Sequence, residues 1–225
     1  MSNKILAFTI FDNNFSSLKN LVVKRNAEYF KKYNTEYTVY DDDAKDLFNV
    51  NWNKGSYINY YIKFLLLEKF LNSNDYNDID YFFMMDCDIV ICNLDLDLDI
   101  FIRMSCDKDI LICSTENCSE DMFWNVNTGS ILFKNSQNTK TFINNYLEIA
   151  KKYAFQIYDQ PLMQAMIRQD PSIKDLFCVF PRNSFNHGNK DSFLFHACVN
   201  STSNQNFQEA INKKEQDIIE VLKNL

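Results

Sequence analysis

Residues 81–91 read Tyr81-Phe82-Phe83-Met84-Met85-Asp86-Cys87-Asp88-Ile89-Val90-Ile91, and the order of side chains in this stretch decides how the rest of the chain is read. A run of bulky apolar residues entered from Asp80 fits a strand, 80–85, buried on both faces in a parallel sheet. Two carboxylates then arrive one residue apart, and a second apolar run follows. Acids wedged between hydrophobic segments are costly to bury unless they are paired or hold a cation. If the backbone turns between Asp86 and Asp88, both can address one hard ion. Diphosphate oxygens and water can then complete an octahedron, a set that suits Mg²⁺ or Mn²⁺. The pattern alone is a weak signal, because Asp95-Leu96-Asp97 repeats it within 94–99, a patch that reads as a half-exposed strand or turn.

Working outward, Lys4 to Phe11 reads as a short buried strand. Ser16 or Ser17 can cap a helix to about Lys32, with Leu18, Leu21, Val22 and Tyr29 on one face, and Thr35 to Tyr40 gives a second strand. This opening is a β-α-β unit, whose parallel strands need a helical crossover. Tyr57 to Leu71 is apolar nearly all round, as expected of a helix buried against a sheet. Further strands are predicted at 109–114, 129–133 and 176–180, and helices near 136–153, 159–169 and 207–222. The acidic pair therefore falls at the carboxyl end of a strand, where α/β sheets carry their ligands.

Composition bounds the rest. A chain of 225 residues can form one sizeable core, and only three Gly and three Pro against 20 Phe and 12 Tyr argue against a turn-rich all-β fold. A net charge of −7 without a basic run argues against a nucleic-acid polymer as partner. Seven cysteines, an odd number with no CxxC spacing, favour neither disulfides nor zinc and fit a reducing, cytoplasmic compartment. The opening Met1-Ser2-Asn3-Lys4-Ile5-Leu6-Ala7-Phe8 turns polar by Asp12, too early for a signal peptide, and no apolar run is long enough for a membrane span. A soluble chain is expected, and a homo-oligomer is compatible with the sequence.

Residues 83–93, ending Asp86-Cys87-Asp88-Ile89-Val90-Ile91-Cys92-Asn93, resemble the metal-binding element of GT-A fold glycosyltransferases. Other stretches follow in the order seen in the galactosyl/mannosyl/xylosyltransferase family of fungal and plant Golgi membranes. They are Asn127-Thr128-Gly129-Ser130-Ile131-Leu132-Phe133-Lys134-Asn135-Ser136, Asp159-Gln160-Pro161-Leu162, His187-Gly188 and Phe195-His196. The similarity runs from Tyr57 to about Asn200; the sequence is shorter than that family's and lacks its membrane anchor.

The resemblance implies a single α/β domain over 1–225 of the Rossmann-like GT-A, or nucleotide-diphospho-sugar transferase, class. Its mostly parallel central sheet would be flanked by helices, with a nucleotide-sugar-binding half at 1–93 and an acceptor-binding half at 94–225. It implies metal-dependent transfer of a hexose or pentose from a UDP- or GDP-linked sugar to a glycan or other hydroxyl acceptor, with retention. Asp86 and Asp88 would bind Mn²⁺ or Mg²⁺ with His196 as third ligand, although a histidine within Phe193-Leu194-Phe195-His196-Ala197 also reads as a core residue. The donor would be met by Asp86, Lys63, His187 and Gly188, with Thr9 and Phe11 near its base; Lys63 could equally snorkel to solvent. Asn127, Thr128, Gly129, Asp159 and Gln160 would face the acceptor, with Asn127, Asp159 and Gln160 at the reacting centre. Gly129 permits close approach of a sugar, and Asn127 and Thr128 offer hydrogen bonds to hydroxyls. Asp159 could instead be a helix N-cap, or the general base were the outcome inverting.

Two other readings remain open at this level. An apolar strand leading to Asp-x-Asp also describes phosphatases of the haloacid dehalogenase type, for which Ser114-Thr115 and Lys134 would have to serve, but no later strand ends in the required acidic pair. A non-catalytic nucleotide-sugar-binding domain would keep the fold without turnover.

Overall fold

The computed structural model describes residues 3–11, 15–41, 47–48, 57–115, 122–185, 192–197 and 207–225. Its centre is β3 (Tyr81–Met85), every residue of which is buried. On one side β3 pairs in parallel with β1 (Ile5–Ile10), and β1 in turn with β2 (Glu36–Tyr40). On the other side it pairs antiparallel with β6 (Val126–Lys134), which is followed by β5 (Ile110–Ser114) and β7 (Phe177–Phe180). The sheet order is β2-β1-β3-β6-β5-β7, parallel except for β6. This is the mostly parallel α/β sheet that the sequence led us to expect.

Period-two alternation assigns each strand residue to one of two helical layers. Leu6, Phe8, Phe82, Met84, Ile131 and Phe133 pack beneath α2 (Ile62–Asn72), α4 (Gln137–Lys152) and α5 (Asp159–Gln169). Ala7, Phe83, Met85 and Leu132 face the opposite layer, formed by α1 (Ser16–Lys32), α3 (Asp99–Met104) and a small ribbon of β4 (Ile89–Ile91) and β8 (Leu194–His196). Phe82 and Phe83, adjacent in sequence, thus seal different layers, and each is fully buried. Burying one such ring fully is worth about 1.5–3 kcal/mol.

Helix termini differ from expectation in instructive ways. Phe15, not a serine, holds the cap position of α1, with no side-chain capping bond, because its ring packs into the apolar cluster beneath the helix. The 57–71 segment begins as a 3-10 turn, Ile58–Tyr61, before α2 takes over. Residues 94–99 form a turn leading into α3, in which the Asp97 carboxylate accepts from the Asp99 N–H at 2.9 Å. Four short elements, β4, α3, β8 and α6 (Pro171–Lys174), have no counterpart in the sequence reading. The C-terminal helix α7 (Phe207–Lys223) lies against α1, where Ile218 joins Phe11, Leu18, Val22, Val90 and Ala197. Among the described residues no helix is long and apolar enough to cross a membrane.

Helix α1 also holds β4 in place. Asn26 behaves as a surrogate strand residue: its Nδ2 donates to the Ile89 carbonyl and its Oδ1 accepts from the Ile91 N–H, both at 2.9 Å. Arg25 continues the grip, donating from Nε to the Ile91 carbonyl at 3.0 Å and from Nη2 to the Cys92 carbonyl at 2.7 Å. An amide buried at the middle of a helix is costly without partners; here it fixes the segment that follows Asp88.

Candidate metal centre

Asp86 and Asp88 stand on the turn between β3 and β4, at the carboxyl end of the central strand. The turn is pinned on several sides. The Asp86 N–H donates to the Gly129 carbonyl at 2.7 Å, extending the β3–β6 ladder, and the Ile89 N–H reaches back to the Asp86 carbonyl at 3.3 Å. The Asp88 carbonyl accepts from the Ala197 N–H at 3.1 Å, so β8 is attached to the turn from its other end. The β4–β8 register sets His196 opposite Ile89.

That register brings an imidazole from 108 residues downstream onto the acidic pair. His196 Nε2 lies 3.2 Å from Asp88 Oδ1 and 3.9 Å from Asp86 Oδ2. Donor atoms of Asp86, Asp88 and His196 all fall within 4.8 Å of one another. A small divalent ion with donors at about 2.1 Å sets neighbouring donors about 3 Å apart and opposite ones about 4.2 Å apart. Both His196 spacings fall in that interval, and a carboxylate-imidazole donor set is one that Mn²⁺ or Mg²⁺ accepts. The residues therefore fit a hard divalent ion.

Gly129 makes room for this imidazole. A Cβ at position 129 would stand 2.3 Å from His196 Cε1 and 2.6 Å from Nδ1, well inside contact distance, and 3.0 Å from Asn127 Oδ1. The close approach anticipated at this glycine is made by the ring of His196, so the sugar contact expected there has a protein side chain in its place.

Two lysines offset the charge of the acids. Lys63, from α2, donates to Asp86 Oδ1 at 2.7 Å and to the Thr128 carbonyl at 2.9 Å, and its ammonium is 3.1 Å from Asp159 Oδ2. It does not snorkel; it is buried and engaged on all sides. Lys214, from α7, bonds to Asp88 Oδ2 and lies over the Phe15 ring at 5.7 Å. Burial works against charge on both lysines, but the carboxylates outweigh it, Asp159 and Asp86 at Lys63 and Asp88 at Lys214, and each ammonium is held protonated above its ordinary range. Burial likewise pushes the Asp88 carboxyl up, yet His196 and Lys214 overcome it and keep Asp88 well below the usual carboxylate range. At Asp86 burial prevails, reinforced by Asp88 and Asp159 and opposed by Lys63 and His196, so its carboxyl is raised. With the imidazole neutral, three carboxylates against two ammonium groups leave one net negative charge.

The acceptor-side candidates are also brought together. Asp159 is the first residue of α5 and Tyr158 its cap, without a side-chain capping bond, so the N-cap reading of Asp159 does not hold. Its carboxylate is buried, accepting from Thr128 Oγ1 at 2.9 Å beside Lys63, while its carbonyl accepts from Tyr146 Oη at 2.9 Å. Gln160 Oε1 accepts from the Thr128 N–H at 3.4 Å, and Asn127 Oδ1 from the Gly129 N–H at 2.8 Å. An acid fixed between a hydroxyl and an ammonium is poorly placed as a free base; its geometry is that of an anchor for Lys63.

Thr9 pairs with Met85 at the end of the β1–β3 ladder, beside Asp86, and Phe11 lies two residues further on. Both are 1% exposed: Phe11 is covered by the cluster containing Ile218, and Thr9 Oγ1 is buried without a hydrogen-bond partner among the described residues. Neither side chain offers a surface to a nucleotide base in this conformation, which leaves any such contact to the backbone at the end of β1. His187 and Gly188 lie outside the described residues. Lys214 is the site residue that sequence reading missed. Its one signal is spacing, three residues after Ile211 and four before Ile218, both buried, which puts it on the apolar face of α7.

Sequence comparison yields no matching family model and no matching curated protein. Solved structures do match. A glycosyltransferase involved in glycosylation of the major capsid of PBCV-1 aligns with TM-score 0.65 at 11% identity over 94% of this chain and 99% of its own. Mouse xyloside xylosyltransferase 1 in its apo form aligns with TM-score 0.50 at 11% identity over 90% and 99%. The apo form of the glycosyltransferase GlyE of Streptococcus pneumoniae TIGR4 also gives 0.50 at 11%, and there this chain spans 63% of the other protein. At such identities the likeness is one of fold, and the chain has the fold of glycosyltransferases, with a candidate Asp86-Asp88-His196 metal centre at the carboxyl end of its central strand.

Proposed function

We propose that this protein is a metal-dependent glycosyltransferase that moves a hexose or pentose from a UDP- or GDP-linked sugar to a hydroxyl acceptor with retention. The observation that carries the reading is the convergence of Asp86, Asp88 and His196 at the end of β3. Strand order reverses between β1 and β3, since β2 lies outside β1, and open α/β sheets bind nucleotides at such a reversal. Residues 1–93 then supply the nucleotide-sugar side and 94–225 the acceptor side, to which α7 adds Lys214.

Asp86, Asp88 and His196 would hold Mn²⁺ or Mg²⁺, which when bound neutralises charge on the departing diphosphate. Lys63 holds Asp86 in place, and Asp159 and the Thr128 carbonyl hold Lys63, so the ligand set is oriented before a substrate enters. Asn127 and Gln160, both bonded to backbone N–H groups of the Thr128–Gly129 segment, would align an acceptor hydroxyl. Asp159, committed to Lys63 and Thr128, is left no role as the base of an inverting reaction, and this favours retention.

Thermal-shift titration with UDP- and GDP-sugars in the presence of Mn²⁺ tests this reading, because a ligand bound only by the folded state raises apparent stability. One donor should stabilise the wild type, and Asp88→Ala should abolish the shift. Absence of a metal-dependent shift with every donor would refute the proposal, and release of inorganic phosphate from monoesters would point to a phosphatase instead.

A further inference from the structure

Beside the metal centre lies a surface that the three metal-ligand candidates do not account for. Tyr57 and Tyr158 stack with ring centroids 3.6 Å apart and planes at 24°. Tyr60 stands edge-on to both, at 6.3 Å and 64° from Tyr57 and at 5.1 Å and 71° from Tyr158. Tyr60 is 49% exposed and Tyr158 42%, two of the few large apolar-bodied side chains among the described residues that remain open to solvent. A contiguous exposed aromatic patch marks a ligand site more often than a lone exposed ring does.

Its position selects the ligand. Tyr60 precedes Lys63 by one turn and Tyr158 directly precedes Asp159, and Lys63 Nζ lies 3.1 Å from Asp159 Oδ2, so the rings are tied to the wall of the metal centre. Burial raises the pKa of the Tyr60 phenol, and Asp159 and Asp86 add to this while Lys214 and Lys63 oppose it. The nucleotide crevice expected between β1 and β3 is on one side of β3, whereas α5, headed by Tyr158, packs on β6 at the other. A pyranoside ring has a face of weakly positive C–H bonds rimmed by hydroxyls. That face complements the negative face of an aromatic ring, and the phenol hydroxyls suit the rim.

We propose that Tyr60 and Tyr158 form an acceptor platform on which the C–H face of a pyranoside stacks, delivering its hydroxyl toward Gln160 and Asn127. The proposal rests on the glycosyltransferase reading for the identity of the site, but the sugar contact can be measured without turnover.

The test is saturation-transfer NMR of the methyl pyranosides of galactose, glucose, mannose and xylose against the full chain with diamagnetic Mg²⁺ and UDP or GDP. At least one should receive saturation on its ring C–H protons. Tyr60→Ala/Tyr158→Ala should weaken that contact about tenfold, as expected for loss of two aromatic stacking partners. Tyr60→Phe/Tyr158→Phe should preserve it, and both variants should keep the thermal shift given by Mn²⁺ with nucleotide. Failure of all four pyranosides in a wild type that does respond to Mn²⁺ and nucleotide would overturn the platform and leave the enzyme reading standing. Loss of the nucleotide response in the alanine variant, with sugar contact kept, would overturn it by assigning the rings to the donor's base. Sugar contact that depends on the rings in a protein indifferent to nucleotide would support the platform and refute the transferase.

Discussion

Replacing Gly129 by alanine adds one methyl group to the tightest point of the metal centre. The new Cβ would stand 2.3 Å from His196 Cε1, and carbon atoms rest at about 3.5 Å or more, so the imidazole must retreat by about 1 Å. Metal donors tolerate displacements of about 0.2 Å, so Nε2 leaves its coordinating position even if the fold absorbs the strain. Two magnitudes follow. Overpacking of this kind costs about 1–3 kcal/mol, and at about 2–4 °C per kcal/mol for a chain of this size the melting temperature should fall by about 6 °C. Disturbing a group that orients a metal ligand lowers affinity about 10- to 100-fold, to be read from Mn²⁺ titration by electron paramagnetic resonance. The same substitution in a His196→Ala background supplies the control: with the ring gone the methyl group has room, and the stability penalty of Gly129→Ala should largely vanish, a coupling of about 1–3 kcal/mol. A Gly129→Ala protein that melts within about 1 °C of wild type and binds Mn²⁺ equally well would show that the imidazole does not occupy this position.

Lys63→Met leaves Asp86 and Asp159 facing each other without their shared cation and should destabilise the metal-free protein by about 3–5 kcal/mol. Adding Asp159→Asn should recover part of that loss in urea unfolding, and a second change that merely adds to the first would refute the pairing. Lys214→Met removes an ammonium that a metal has to displace from Asp88; with a charged hydrogen bond worth about 1.5–3 kcal/mol, Mn²⁺ affinity should rise about tenfold by calorimetric titration. Unchanged or weaker affinity would mean that Lys214 does not compete with the ion.

Much of this fold is written locally. Helix α4 repeats apolar residues at Phe142, Ile143, Tyr146, Leu147 and Ala150, a helical stripe that propensity and burial both favour. Strands β1, β3 and β5 are short apolar runs of the right length, and their existence was legible for that reason. The reversed direction of β6 was not, because an apolar strand buried on both faces carries no mark of which way its neighbours run. Nor was β8 legible: Leu194–His196 is three residues long and is a strand only because β4 offers it a partner. Residues 94–99 left strand and turn both open, since alternating Leu and Asp has the period of a strand, and the Asp97 side chain bonding to nearby backbone goes with the turn.

The site divides along the same line. Asp86 and Asp88 announce themselves, because two acids inside an apolar run need a reason. Their pairing does not: Lys63 and Asp159 are 96 residues apart and Asp88 and Lys214 126 apart, so Lys63 and Asp159 stand out as candidates without showing that they meet, and Lys214 alone reads as an ordinary surface charge. Their placement nevertheless separates two tasks that a sequence motif merges. Lys63 is bound by two carboxylates and a carbonyl at the floor of the centre, so moving it would strand all three, and its task is to hold the ligand set still. Lys214 reaches in from the terminal helix, with Asp88 and the face of Phe15 as its contacts and a fifth of its side chain open to solvent. When a divalent ion takes Asp88, this is the cation that can yield. The centre passes from one net negative charge to one net positive with both lysines retained, and a diphosphate is then the counter-charge that the released ammonium and the metal would share.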